Sequence, residues 1–154
     1  MADLETTKPD EAKPAPSLAT RVADLLAEEG YRPHLQEPEG RYRRIFFKAE
    51  GARFAVRLDE QDPDFVTICL GYLFEEPVPE VQAILRAGHD VQAEAKVAKF
   101  FLDPEGKYYE LQAELFLGGH PLNPRHLERS INVLKRAAAD FYDRIRTAAP
   151  RARA

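Results

Sequence analysis

The sequence predicts an α+β domain in the order α-βββ-α-ββ-α, with a five-stranded antiparallel sheet and helices packed on it. Three segments carry apolar residues at helical spacing, and five shorter segments alternate apolar and polar residues as half-buried strands do. Tight turns join successive strands, and short hairpins favour antiparallel pairing. A single apolar stripe on each helix favours packing against one sheet.

The first helix is predicted to begin at Ser17, whose hydroxyl can cap the free amides of the first turn, and to end at Gly30. Its apolar stripe consists of Leu18, Val22, Leu25 and Leu26.

The first two strands are predicted to form a hairpin around Glu50-Gly51, because glycine tolerates the positive φ that a tight turn needs. This two-residue loop places Phe47 opposite Phe54 and Ile45 opposite Val56 on the core side. A third strand then runs from Phe65 to Leu73.

The other face of this hairpin carries like charges in opposition: Lys48 lies opposite Arg53, and Arg44 opposite Arg57. Like charges directly opposite each other are unfavourable, so this face is expected to attract anions. Either the last strand supplies them through its acidic side chains, Glu110 and Glu114, or an acidic partner does. The alternative interpretation is a solvated charged face.

The second helix is predicted from Val78 to Ala93, with an inward stripe formed by Val81, Ile84, Leu85 and Gly88. A second row at i, i+4 and i+8 consists of Ala83, Ala87 and Val91. Small side chains in a row allow close approach, so this row is a candidate homodimer contact. The alternative is that alanine is simply a strong helix former in solvent.

Two further strands are predicted from Val97 to Leu102 and from Tyr109 to Leu117, joined by a turn at Asp103-Pro104-Glu105-Gly106. The final helix opens at Asn123-Pro124, a capping residue followed by a proline suited to the first turn. Its stripe consists of Leu127, Ile131, Leu134, Ala138, Phe141 and Ile145.

Length and composition suit one domain, residues 17–147, between tails at 1–16 and 148–154 that are predicted to be disordered. The single cysteine and the lack of an apolar run of about 20 residues predict a cytoplasmic protein that does not cross a membrane. The net charge of −4 argues against nucleic acid as the partner.

No catalytic residue, metal site or cofactor is expected. The four histidines, His34, His89, His120 and His126, lack metal-ligand spacing, and no sequence signature places a base beside Cys69. The glycine turn Gly118-Gly119 before the last helix could hold an anion, but it lacks a phosphate-loop motif and fits a tight turn equally well.

Several aromatic residues fall outside the predicted core stripes; they are Phe46, Phe74, Phe100, Tyr108 and Phe116. Interleaved with basic residues, they could stack on nucleic-acid bases, form a peptide-binding sheet surface or form a dimer contact. Protein binding is favoured over nucleic acid by the acidic total. The candidate partner-binding set is Arg44, Phe46, Lys48, Arg53, Arg57 and Phe116.

Three segments carry a family resemblance: Phe54-Ala-Val-Arg-Leu-Asp-Glu; Ala87-Gly-His-Asp-Val with Lys96-Val-Ala-Lys-Phe-Phe-Leu-Asp; and Tyr109-Glu-Leu-Gln-Ala-Glu-Leu. Over residues 17–147 the chain resembles the YbjN-like bacterial family, and its element order is similar to that of type III secretion chaperones. The resemblance implies a small, often dimeric protein without enzymatic activity.

We therefore expect a non-enzymatic protein-binding or chaperone-like regulatory module. Two alternatives stay open: a small-ligand or enzymatic domain with a pocket between sheet and helices, and a nucleic-acid binder that uses the basic hairpin. A closed polar pocket would favour the small-ligand alternative, whereas an open apolar surface or groove would favour protein binding.

Overall fold

A computed structural model describes residues 14–148, and it confirms the α+β class with one more strand than predicted. In chain order the elements are α1 (Leu18–Glu28), β1 (His34–Leu35), β2 (Tyr42–Ala49), β3 (Ala52–Asp59), β4 (Phe65–Leu73), α2 (Val81–Glu94), β5 (Ala98–Leu102), β6 (Tyr108–Phe116) and α3 (Pro124–Ala148). The sheet has six strands in the order β1-β2-β3-β4-β6-β5, and all neighbours are antiparallel.

The prediction of five strands is wrong because it omits β1, a strand of only two residues. Both of them are exposed, so no alternation of buried and exposed side chains marks this strand in the sequence. β1 pairs with β2 at Phe46 and Ile45, and beyond it the Gln36 amide donates to the Arg44 carbonyl on the same edge.

The predicted β2–β3 hairpin is confirmed residue by residue. Glu50 and Gly51 both have positive φ, 48° and 80°, as a two-residue hairpin turn of this kind requires. Phe47 pairs with Phe54, and the other three predicted pairs on the two faces also form.

The core lies between one face of the sheet and the three helices. Its largest fully buried side chains include Phe54 of the hairpin, Leu111 of β6 and Phe141 of α3. The caps agree with prediction: Ser17 Oγ accepts a hydrogen bond from the Thr20 amide, and Asn123 Oδ1 accepts one from the His126 amide.

The predicted orientation of α2 is confirmed for Ile84 and Gly88, which are buried, and wrong for the other two residues of the inward stripe. Val81 and Leu85 are 51% and 47% exposed, whereas Ala87 and Val91 are buried at 4% and 1%. The reason is that α2 packs against α3 as well as against β5, so its second apolar side is covered within the same chain.

The burial of α2 bears on the candidate dimer row. Ala83 and Ala87 face Arg144 of α3 across a groove between the two helices, and Val91 belongs to the core. The small side chains allow close approach, and the helix that approaches them within the chain is α3. Self-association through this row stays a prediction.

A close contact between α2 and β5 gives a testable result. A Cβ placed on Gly88 would clash with three ring carbons of Phe100, the farthest of them at 2.6 Å, and that ring is stacked on Phe141 with centroids 4.9 Å apart. Alanine's helix propensity would stabilise the helix by about 1 kcal/mol, whereas overpacking costs about 1–3 kcal/mol. We expect Gly88→Ala to lower the urea midpoint, and to raise it instead in a Phe100→Ala background, which lacks all three carbons. A higher midpoint in the wild-type background would contradict this packing.

The predicted boundaries of the domain, residues 17 and 147, stay a prediction. Residues 14–16 precede α1 and are exposed, and Ala148 is the last residue of α3 rather than the first of a tail. The remainder of both predicted tails lies outside the described residues. None of the helices in the described range is long and apolar enough to cross a membrane.

Candidate partner-binding surface

The three helices of the described range, residues 14–148, pack on one face of the sheet, and none of them lies over the other face, called the outer face below. Two small residues at its centre, Ala55 and Cys69, are buried, yet they are not part of the core that joins sheet and helices. The predicted partner-binding residues all project from this face; they are Arg44, Phe46, Lys48, Arg53, Arg57 and Phe116.

The five of these residues in the hairpin lie in three consecutive rows. Arg44 pairs with Arg57, Phe46 with Ala55, and Lys48 with Arg53. The carbonyl of Arg44 accepts a hydrogen bond from the Gln36 amide, on the side away from β3. Arg44 and Arg57 are therefore a non-hydrogen-bonded pair, the kind of pair in which side chains come closest. Lys48 and Arg53, four residues further along the strands, form another such pair.

The acidic side chains of β6 share the outer face but make other contacts. Glu114 forms an ion pair with Lys99 of β5, and Glu110 accepts hydrogen bonds from Tyr108 and Gln112. Among residues 14–148, no carboxylate lies within ion-pair distance of Arg44, Lys48, Arg53 or Arg57. The expectation that β6 neutralises the hairpin is thus not met.

A hydrogen-bond chain still links the two halves of the outer face. Arg57 donates to Gln112 Oε1 at 3.5 Å, and Gln112 donates to Glu110. Gln112 is only 4% exposed, and the sequence reading missed this role because it depends on the strand order, which places β4 between β3 and β6.

The centre of the outer face offers no nucleophile. Burial, and next the charge of Glu110, raises the pKa of the Cys69 thiol to about 12. The side chain is therefore a protonated thiol at neutral pH, whereas a nucleophilic cysteine needs its thiolate. Beside it, the ring of Tyr108 lies over Gly71, where an added Cβ would be 2.7 Å from Tyr108 Cζ.

Aromatic side chains occupy two places on the outer face. The guanidinium carbon of Arg53 lies 4.4 Å from the ring centroid of Phe46, a cation–π contact. Phe116, at the far corner, is 76% exposed. Of the other aromatic residues outside the predicted stripes, Phe74 and Phe100 pack against the core, so sequence reasoning assigned them to the wrong group.

A groove extends the basic end of the hairpin over the edge of the sheet. It measures about 470 Å³, and its lining includes Arg32, His34, Phe46, Lys48 and Arg53. Arg32 was not singled out from the sequence, because its proximity to the hairpin depends on the short strand β1. The groove therefore brings Arg32, a further cation, and His34 next to the basic residues of the hairpin.

An ion pair that the sequence reading missed closes the other end of the hairpin. Arg41 donates to the carboxylate of Asp59, which also accepts from the Gln61 amide at 2.9 Å. The hydrogen bond from Arg41 is the main cause that lowers the pKa of Asp59 below its usual value. Arg41 is therefore neutralised within the chain, whereas Arg44 and Arg57 form no ion pair among residues 14–148.

A second groove, apolar and half-open, lies between the sheet and α3. It measures about 500 Å³ and is lined mainly by aromatic and aliphatic side chains, among them Tyr72, Phe74, Phe141, Tyr142 and Ile145. The small-ligand alternative anticipated a closed polar pocket in this position. The open apolar groove instead meets the criterion set for protein binding.

The remaining sequence candidates do not form a site. Asp64 Oδ1 accepts a hydrogen bond from the Gly119 amide at 2.7 Å, so the chain's own carboxylate already occupies the glycine turn. His126 accepts from the Asn123 amide at the start of α3. Within residues 14–148, no group of three or more histidine, cysteine or acidic side chains could hold a metal ion.

Comparison with known proteins gives one family match. A model of the YbjN family, described as "Putative bacterial sensory transduction regulator", matches residues 18–147. No curated protein matches the chain.

Solved structures that are similar to the chain have low sequence identity to it. An uncharacterized protein from Methanothermobacter thermautotrophicus is 16% identical with a TM-score of 0.64, over 86% of this chain and 99% of that one. A chain of the HopA1-SchA chaperone-effector complex is 14% identical with a TM-score of 0.51, over 80% and 92%. YbjN from E. coli, a putative transcription regulator by its description, is 14% identical with a TM-score of 0.48, over 84% and 89%. The expected chaperone-like fold is thus confirmed.

Proposed function

The chain belongs to the YbjN family, and from that premise we propose that it is a non-enzymatic, cytoplasmic protein-binding module with its contact surface on the outer face. This assignment gives the family's regulatory description a physical basis, because a domain without catalytic groups acts through what it binds. The fold alone would not specify this role.

The observation that carries the proposal is the open outer face, whose hairpin cations form no ion pair with any carboxylate of residues 14–148. A sheet normally buries at least one face against other elements, and here the three helices cover only the core side. Arg44 and Arg57, and likewise Lys48 and Arg53, are held side by side at a cost in repulsion. A bound partner would remove this cost, and exposed Phe116 would add apolar contact area.

Two other features support a protein as the partner. The apolar groove beside α3 is open, as surfaces for macromolecules are, and Tyr142 at its rim is 64% exposed. The chaperone–effector complex with a similar fold illustrates that this architecture is used in one protein to bind another.

Site-specific photo-crosslinking tests the proposal directly. A benzophenone amino acid replaces Phe116 on the outer face and, as a matched control, Arg129, an exposed residue of α3 on the opposite side of the molecule. In cells of the organism that encodes the chain, we expect discrete protein adducts from position 116 that are absent from position 129. Equal adduct patterns at the two positions, or none at 116, would refute the proposed surface.

A further inference from the structure

The spacing of charges on the hairpin specifies the chemistry of the partner. We propose that the segment bound there is an extended acidic peptide with two carboxylates four residues apart and an apolar side chain midway between them. This inference rests on the proposed function and names the partner class for the same surface.

The two cationic rows set the distance between the carboxylates. Lys48 lies four residues beyond Arg44 on β2, and each has a cation opposite it on β3. A strand rises 3.3–3.4 Å per residue, so the rows are about 13 Å apart along the hairpin. An extended peptide laid along the hairpin places side chains i and i+4 on one face at the same spacing.

The row between the charges is apolar. Phe46 is half-buried and pairs with Ala55, whose side chain is buried, so no charged group separates the two cationic rows. Arg53 holds the Phe46 ring in place from the distal row. A ligand side chain at i+2 would meet this ring, which selects an apolar residue at that position.

The distal row is stronger than the proximal one. The groove at the sheet edge places Arg32 and His34 beside Lys48 and Arg53. In the proximal row, Arg57 already donates to Gln112. We therefore expect the distal carboxylate of the ligand to contribute the larger share of the affinity.

Nucleic acid fits this surface less well. Glu110 and Glu114 lie on β6, two strands from β3, or about 10 Å from its side chains, so the basic area ends abruptly in an acidic strip. A phosphate backbone carries charge at every nucleotide and would run onto that strip. A short segment with two carboxylates would not.

Synthetic peptides test the spacing. The probe is a capped nine-residue peptide of serine with glutamate at positions three and seven and leucine at position five. One control has the same composition with glutamate at positions three and five, and a second has glutamine in place of glutamate. Titration is followed by amide NMR shifts at low salt. We expect the probe to shift amides of β2 and β3 with an affinity about tenfold above that of either control.

Paired variants test the location. Lys48→Gln with Arg53→Gln removes the distal row, and Arg125→Gln with Arg129→Gln removes two exposed cations from α3 for the same change in net charge. We expect the first pair to weaken probe binding about tenfold or more and the second to leave it unchanged. Circular dichroism verifies that both variants are folded.

Several results would overturn the inference. These are equal binding of the two glutamate spacings, equal loss in both paired variants, or a thymidine oligonucleotide that binds the hairpin more tightly than the probe. Photo-crosslinks from position 116 that persist while no acidic peptide binds would sink this inference and leave the protein-binding proposal standing. Peptide binding without cellular crosslinks would refute the contact surface proposed in cells and leave the inferred chemistry of the hairpin standing.

Discussion

Replacing Phe54 by alanine is expected to destabilise the protein by about 3–5 kcal/mol, as truncations of buried phenylalanine do. The Phe54 side chain is 0% exposed, and its ring stacks on Phe47 with centroids 5.5 Å apart. Phe47 also contacts the ring of Tyr31, with centroids 5.1 Å apart, so the Phe54 ring belongs to an aromatic cluster of the core. Against a typical total stability of about 5–15 kcal/mol, the variant should be folded only marginally.

Urea denaturation followed by circular dichroism measures this loss, with the slope of the transition used to check that the denatured state is unchanged. Phe116→Ala is the matched control, because it removes the same atoms from a side chain that is 76% exposed. We expect that control to change stability by no more than about 0.5 kcal/mol. If both variants lose the same stability, the assignment of the two sheet faces is wrong.

The hairpin could be predicted from sequence because its determinants are local. Glu50-Gly51 sets the loop length, and with a period of two the loop length fixes every pair along β2 and β3. The placement of Arg44 beside Arg57 follows from that register alone. The cationic rows of the proposed surface are therefore encoded by a single short stretch of the chain.

The counterions of those rows could not be predicted, because they depend on contacts distant in sequence. Glu114 pairs with Lys99 across the β5–β6 hairpin, while β4 separates it from the basic hairpin, and no local pattern encodes that position of β4. Gln112 reaches Arg57 because β4 is a neighbour of both strands involved. Strand order decides which charges on a face are neutralised.

The face of α2 was predicted only in part, for a related reason. Its sequence has apolar or small residues on two sides, and helical periodicity cannot tell which side meets the sheet and which meets another helix. The decision is made by α3, whose Arg144 forms ion pairs with Asp90 at 3.4 Å and Glu94 at 2.7 Å. These partners lie 54 and 50 residues away from Arg144 in sequence, so the contact between α2 and α3 is not encoded locally.

An aspartate introduced at two positions of α2 separates the two orientations of this helix. Periodicity placed Leu85 in the core and Val91 outside it, whereas the structure buries Val91 at 1% and leaves Leu85 47% exposed. We expect Val91→Asp to destabilise the protein by about 3–5 kcal/mol, because an unpaired carboxylate would stand among apolar side chains. Leu85→Asp should cost no more than about 1 kcal/mol, mostly through helix propensity.

The same pair of variants also tests the dimer row. Were Ala83, Ala87 and Val91 a contact between two chains, Val91→Asp would yield a folded monomer, and light scattering behind a sizing column would show a lower mass with a normal melting curve. The structure predicts instead a melting curve shifted to low temperature or an unfolded chain, whatever the wild-type mass. A well-folded Val91→Asp variant together with an unfolded Leu85→Asp variant would restore the orientation that periodicity favoured, because only exposed positions tolerate an unpaired charge.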